Sequence, residues 1–208
     1  MNENKKVCIL DYGSGNVGSV FNIFSSFAKN VLVSNRTEDI VSATHIVLPG
    51  VGAFGASMEK IKKSIPLDVL KAEVFENKKP FLGICVGMQV LADKGYEFGE
   101  HKGLGWIPGE VQKLNSGNMP LPHIGWNNIE VLEKTPILEG INDNQDFYFV
   151  HSFVFKAGNK NDIVAKTGYG EKFNSIVAKG NIFGVQFHPE KSQKTGAVLL
   201  KNFLNLIQ

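Results

Sequence analysis

Two textures of hydrophobic patterning divide the chain. In the first half, short apolar runs alternate with stretches of helical spacing. Residues 7–10 form an apolar run that ends at Asp11, a first buried strand, after which Val17, Val20, Phe21, Phe24 and Ala28 recur at helical intervals. Residues 31–33 and 46–48 read as the next two strands, and Pro66 opens a helix with Leu67, Leu70 and Val74 on one face. Strands alternating with helices predict a parallel sheet covered on both faces.

Beyond Ala92 the texture changes. Residues 96–109 are glycine-rich and read as loops. From 111 to 187 the runs are short, β-favouring and closely spaced (147–150, 153–155, 163–165, 176–178 and 182–186), which predicts mostly antiparallel strands. A closing helix places Leu200, Phe203, Leu204 and Ile207 on one face. No linker, repeat or low-complexity segment interrupts the chain. The expectation is one α/β domain over residues 1–208, with a mixed, largely parallel central sheet flanked by helices and an antiparallel C-terminal part.

The sharpest local signal lies at the junction between the two textures. Residues 81–84 are an apolar strand and residues 86–92 begin a helix, with Cys85 between them and Gly83 and Gly87 two positions away on either side. A strand turning sharply into a helix strains the corner residue, and neighbours without a Cβ let the turn close. The corner side chain is then held above the sheet at a helix N-terminus, as in a nucleophile elbow. Helix N-termini favour negative charge, which suits a reactive thiolate. A buried core cysteine beside two packing glycines is the alternative reading of these ten residues.

A cysteine nucleophile needs a base, and the base an orienting group. His188 follows the apolar run 182–186 in Phe187-His188-Pro189-Glu190. Proline lacks an N–H, so the strand must end there and the imidazole can sit at the rim of the sheet. Glu190 is close enough to accept a hydrogen bond from one ring nitrogen while the other faces the thiol. His45 and His101 read as structural or solvated. Acyl transfer also requires donors aimed at an oxyanion. The N–H of Val86 is one candidate, and the Gly50-Val51-Gly52 turn after the 46–48 strand is the second, unless it is an ordinary strand-to-helix turn.

Residues 13–18 supply a rival, because they fit G-x-G-x-x-G between a strand and a helix, as a dinucleotide site would. The acidic residue expected after the second strand is missing, and Ser34-Asn35-Arg36 stands there instead; Arg36 would suit a 2′-phosphate. An NAD(P)-binding oxidoreductase therefore stays open on geometry but leaves the elbow and the His-Pro-Glu unexplained. His123, His151, His188 and Glu190 could converge, but they lack close ligand spacing, so no metal and no other cofactor is expected. A formal net charge of +2 with scattered Lys and Arg gives no nucleic-acid or membrane surface. Cys8 and Cys85 cannot build a disulfide framework and read as reduced thiols. With no apolar leader at the N-terminus and no membrane-length run, the expected location is cytoplasmic.

Six ordered motifs carry a resemblance over nearly the whole chain: 11–16 (DYGSGN), 48–54 (LPGVGAF), 83–89 (GICVGMQ), 122–127 (PHIGWN), 149–153 (FVHSF) and 184–192 (GVQFHPEKS). The sequence resembles the class I, triad-type glutamine amidotransferases and, within them, the glutaminase subunits of imidazole glycerol phosphate synthases of histidine biosynthesis. Paralogues of that kind thought to supply ammonia for modifying surface-glycan sugars share the pattern. The resemblance implies that Cys85 attacks the glutamine side-chain amide, with His188 as base and Glu190 holding the imidazole. It implies an oxyanion site from Gly50, Val51, Gly52 and Val86, with Val51's peptide reorienting when the partner is active. Gln89, Ser152 and Phe153 would line the glutamine pocket. Val86 stands where leucine is common, Phe153 where tyrosine is common, and Trp106 where a smaller aliphatic residue is usual.

Ammonia in neutral water is mostly protonated and no nucleophile, so a glutaminase needs an acceptor close by. The sheet, helices and triad occupy a domain of this size, which makes the acceptor site a separate synthase subunit. The resemblance implies a (β/α)8-barrel cyclase as that partner, forming a heterodimer. The 11–16 loop, with Asp11 and Asn16, and the 125–127 segment, with Trp126, are the expected interface.

Overall fold

The computed structural model describes residues 2–13 and 16–207, with side chains from Lys5 onward. Ser14 and Gly15, in the middle of the G-x-G-x-x-G stretch, lie outside the described residues. The first half runs β1 (Asn2–Ile9), α1 (Val17–Ser25), β2 (Ala28–Val33), α2 (Thr37–Ser42), β3 (His45–Gly50), α3 (Phe54–Ser64), α4 (Leu67–Phe75), β4 (Phe81–Cys85) and α5 (Val86–Gln89). The second half runs β5 (Lys94–Gly95), β6 (His101–Lys102), β7 (Gly109–Lys113), β8 (His123–Asn128), β9 (Glu130–Val131), β10 (Asp146–His151), β11 (Phe153–Ala157), β12 (Ile163–Tyr169), β13 (Glu171–Lys179), β14 (Ile182–Val185) and α6 (Gln193–Asn205).

Eight strands form the central sheet in the order β2-β1-β3-β4-β14-β13-β12-β9. The pairs from β2 through β14 are parallel, and β13, β12 and β9 continue it antiparallel. Two small layers lie beside it: an antiparallel pair, β10 with β8, and a mixed four-stranded sheet in the order β11-β7-β5-β6, in which β5 runs parallel to β7. Every residue of β3, β4 and β14 is buried, which accounts for their unbroken apolar runs. Because these neighbours are parallel, their carboxyl ends emerge at one edge of the sheet, where open α/β sheets bind ligands. Gly50 sits opposite Cys85 in the β3–β4 register, and Val185 opposite Ile84 in the β14–β4 register.

Local departures from the sequence pattern have physical causes. Ala28 is not helical: α1 ends at Ser25, the N–H of Phe27 bonds to the Phe24 carbonyl, and Ala28 opens β2 against β1. The helix expected over 86–92 ends at Gln89: the N–H groups of Leu91 and Ala92 bond only three residues back, to Met88 and Gln89, and the carbonyls of Val90, Leu91 and Ala92 accept from Leu104, from Trp106 and Ile107, and from Gly105, so no further turn forms. α2 and α3 are absent from the sequence reading. The face α3 buries includes Gly55 and Ser57, which dilutes its apolar period, and α2 spans only six residues. β8 escaped notice because its alternate residues His123, Gly125 and Asn127 are not apolar. Ile207 lies beyond the end of α6 and is exposed rather than sharing its apolar face. Trp106 is a core residue, edge-on to Phe75 and Phe81 at 5.4 and 5.0 Å.

Candidate active site

Cys85 is the last residue of β4 and the cap of α5, with φ 54° and ψ −111°. That left-handed φ is unfavourable for any residue with a side chain and stores about 1–3 kcal/mol, held by the surrounding packing. The glycines around it are there for close approach. A Cβ on Gly87 would collide with the Leu48 carbonyl of β3, and one on Gly83 with the Gly87 carbonyl. The sharp corner therefore closes only with glycine at both positions.

His188 arrives three residues after β14, the parallel neighbour of β4, at the same edge of the sheet. Its N–H donates to the Tyr148 carbonyl at 2.9 Å and its carbonyl accepts from Ser192 Oγ at 2.6 Å, so the backbone is pinned on both sides. Pro189–Lys191 form a short 3-10 turn that folds Glu190 back onto the ring. His188 Nδ1 lies 2.8 Å from Glu190 Oε1, and Asn16 Nδ2 donates to the same oxygen at 2.9 Å. A carboxylate can only accept, so Nδ1 carries the proton. Nε2 is buried with no hydrogen-bond partner, leaving it for the thiol. Burial alone would lower the imidazole, but its interactions with Cys85 and Glu190 outweigh that and push His188 up to about 10.

A cavity of about 180 Å³ opens over Cys85. It is smaller than the roughly 300 Å³ that drug-sized ligands need, and suits a ligand the size of one amino acid. Val51, Gly52, Val86, Gln89, Ser152 and Phe153 all line it. Gly50 lies just beneath, its position opposite Cys85 leaving no room for a Cβ beside the Gly87 nitrogen and Val86. Gln89 Nε2 donates to the Phe153 carbonyl at 2.9 Å and to Gln186 Oε1 at 3.0 Å.

Four lining or contacting residues were given no place at the cysteine by the sequence, His151 having been weighed there only as a metal ligand. Glu97 reaches the cavity and caps α3 by accepting the Phe54 N–H at 2.9 Å. The Val150 carbonyl lies 4.0 Å from Cys85 Sγ, and Gln186 Nε2 lies 3.7 Å from it. His151 closes one wall, in a chain of hydrogen bonds with His123. Larger hollows exist elsewhere, of about 690 Å³ along residues 131–143 and about 510 Å³ beside β12 and β13, but neither is lined by a cysteine or a histidine.

His123 and His151 face each other across the β8–β10 register with Nδ1 and Nε2 at 3.0 Å. His151 Nδ1 lies 3.1 Å from the Phe153 carbonyl, and Asn127 Nδ2 lies 3.3 Å from His123 Nε2. The His123 ring is stacked between Phe149 and Tyr169 at 5.0 and 4.0 Å. Burial lowers His123 to about 4; burial and then the charge of His123 lower His151 to about 3. Both rings are neutral and bond to each other. Among the described residues, no group of three or more His, Cys, Asp or Glu side chains is arranged to hold a metal ion.

The residues expected at an interface divide. Asp11 is exposed and its carboxylate accepts the Gly13 N–H at 2.8 Å. Asn16 is buried and turned inward to Glu190. Trp126 is 48% exposed on β8, beside Ile124 at 60%, so it is a surface residue and not a core tryptophan. No helix among the described residues is long and apolar enough to cross a membrane.

The family "Glutamine amidotransferase class-I" matches residues 8–206. The chain is 44% identical over 202 residues to the imidazole glycerol phosphate synthase subunit HisH 1 of Campylobacter jejuni subsp. jejuni serotype O:23/36 (strain 81-176), covering 96% of this chain and 100% of the relative. It is 46% identical over 206 residues to the imidazole glycerol phosphate synthase subunit HisH of Pelagibacter ubique (strain HTCC1062), covering 96% and 99%. Among solved structures, PurLQS from Thermotoga maritima superposes with a TM-score of 0.72 at 19% identity, covering 97% of this chain and 98% of that one. A glutamine amidotransferase from the same organism gives 0.68 at 16% identity, covering 98% and 97%. These two likenesses are of fold. With a strained cysteine corner at the end of β4, a histidine and glutamate in the turn that follows the parallel neighbour β14, and a family match and relatives along almost its full length, this chain belongs to the class I glutamine amidotransferases.

Proposed function

We propose that the chain is the glutamine-hydrolysing subunit of an imidazole glycerol phosphate synthase, acting in histidine biosynthesis as one glutaminase domain. The observation that carries the reading is Cys85, at its strained corner under a small cavity, beside a His188 whose far nitrogen is fixed by Glu190. The identity of more than two fifths to subunits of that synthase points to the pathway.

Cys85 Sγ, having given its proton to His188, attacks the side-chain carbonyl carbon of glutamine. The resulting oxyanion is met by backbone N–H groups of Val86 and of the Gly50-Val51-Gly52 turn. Collapse of the tetrahedral intermediate breaks the carbon–nitrogen bond, and His188 returns its proton to the departing ammonia. Water, deprotonated by the same imidazole, hydrolyses the γ-glutamyl thioester to glutamate and frees the thiol. Glu190 keeps Nδ1 protonated and stabilises the imidazolium, as the orienting acid does in other triads.

The ammonia passes to a cyclase partner, a (β/α)8 barrel by family likeness, docked over the carboxyl edge of the sheet. The exposed Ile124 and Trp126 on β8 support that face as the docking surface, and Asp11, after β1, is also exposed. Two free thiols, Cys8 and Cys85, fit a reducing cytoplasm. In the complex, Cys85→Ala should abolish synthesis driven by glutamine while leaving synthesis driven by added ammonium salts intact. Wild-type glutamine hydrolysis by that variant would overturn the assignment.

A further inference from the structure

The sulfur of Cys85 has a neighbour that the triad does not account for. Gln186 is fully buried at the end of β14, two residues before His188, and its side-chain Nε2 lies 3.7 Å from Cys85 Sγ. A buried amide needs partners, and those of Gln186 form a chain whose direction is fixed at its far end. The Phe153 carbonyl can only accept, and it takes an N–H of Gln89 at 2.9 Å. Gln89 therefore cannot be flipped, since its own oxygen would then face that carbonyl. Its second N–H goes to Gln186 Oε1 at 3.0 Å. With the oxygen of Gln186 held there, the N–H end of its amide is the end that reaches the sulfur.

Two contacts of the sulfur outside the triad select different protonation states. The Val150 carbonyl, 4.0 Å away, accepts only and so favours the neutral S–H. The Gln186 N–H donates only and so favours the thiolate, because a hydrogen bond to the charged form stabilises that form. We propose that Gln186 is a positioning residue of the glutaminase reaction, its amide locked through Gln89 so that its N–H holds the Cys85 sulfur as a thiolate aimed into the cavity. The backbone N–H of Gln186 donates to the Ser175 carbonyl at 2.9 Å, which fixes the main chain from which the side chain reaches the sulfur.

The kinetic part of the test rests on the glutaminase reading; the chemical part does not. Thiolate formation is read directly by the pH profile of iodoacetamide alkylation at Cys85, followed by peptide mass spectrometry on the intact chain. Cys8 is silent in that assay, since burial and then the charge of Asp39 push its thiol up to about 12. In Gln186→Met, which keeps the volume and loses the donor, the alkylation midpoint should rise by about one pH unit. Glutamine turnover should lose about tenfold in kcat at neutral pH with KM nearly unchanged, because the loss falls on the nucleophile and not on binding. Gln89→Met, which unlocks the amide but leaves it in place, should move the midpoint in the same direction by less.

An unmoved midpoint in folded Gln186→Met, or a rise in KM alone, would overturn the proposal and leave Gln186 a packing residue. Should that variant fail to fold, Gln186→Glu decides. It keeps an oxygen for Gln89 and turns a second oxygen toward the sulfur, so its midpoint must also rise, and an unchanged midpoint would equally overturn the idea. A wild-type protein that hydrolyses no glutamine would sink the glutaminase reading and leave the alkylation profile to decide on Gln186 by itself.

Discussion

Two buried polar clusters sit at opposite ends of the same strands, and they are built in opposite ways. At the amino end of β4, Lys79 and Glu73 pair at 2.6 Å, each almost wholly buried. Lys79 Nζ also donates to the Ile40 carbonyl at 3.2 Å and to that of Val41, while Asn77 donates to Glu73 at 3.0 Å. Asn181 ties the same corner together by donating to the Val74 and Lys79 carbonyls at 2.8 and 2.7 Å. Burial alone would raise the Glu73 carboxyl, but Lys79 and Asn77 hold it below its ordinary value. At the carboxyl end, Asn16 Oδ1, His188 Nε2 and Glu190 Oε2 are buried with no hydrogen-bond partner, and Cys85 is held at a left-handed φ. A saturated cluster fixes structure, whereas open valences and stored strain leave capacity for a reaction.

Breaking the saturated cluster should cost the most. Lys79→Met strands the Glu73 carboxylate in the interior and should destabilise the fold by about 3–5 kcal/mol in urea titrations, while activity per folded molecule stays near wild type. A folded variant that had lost its activity would show that the two ends are not separable. The opposite edit sharpens the contrast. Cys85→Gly removes the nucleophile and the strain together, and should give an inactive protein about 1 kcal/mol more stable than wild type by the same titration. A loss of stability there would mean that the corner is held without strain.

The smallest effect per group comes from the neutral histidines. His45, where burial and then the charge of Lys5 act, is lowered to about 4, His123 to about 4 and His151 to about 3. Each takes up a proton more readily in the unfolded chain, near pH 6.5, than in the folded one. Their contribution is intact above pH 6.5 and is lost as pH falls toward 4, about 1 kcal/mol per histidine by pH 5.5. His188 has the opposite sign: raised to about 10, it stabilises fully below pH 6.5 and loses that contribution as pH rises through 10. Melting temperatures measured from pH 7 down to 5 should therefore fall; a flat profile would contradict the neutral-pair assignment.

The carboxyl edge was legible where local sequence determines local shape. Gly83, Cys85 and Gly87 announce the corner because close approach excludes a Cβ, and Pro189 announces where β14 must end. The unbroken apolar runs of β3, β4 and β14 likewise mark strands buried on both faces. What stayed hidden depends on register between distant segments. His123 and His151 are neighbours only because β8 and β10 pair with those two residues opposite, which no local pattern in either strand records. Asn16 reads as a loop residue fit for an interface, yet the end of β14, far along the chain, brings Glu190 to it and turns its side chain inward. Gln186 stood in plain view beside His188, but its partner Gln89 lies on a different element, and only the folded chain shows which end of its amide meets the sulfur.

The central claim is that the Cys85 thiol is the atom glutamine reacts with, served by His188 from the next strand. A glutamine analogue carrying a diazoketone in place of the carboxamide tests it most directly, with peptide mass spectrometry to locate the adduct in the assembled synthase. The label should fall on Cys85 and spare Cys8, and labelling should slow at least about a hundredfold in His188→Asn. Labelling of some other residue, or an undiminished rate without the imidazole, would contradict the account.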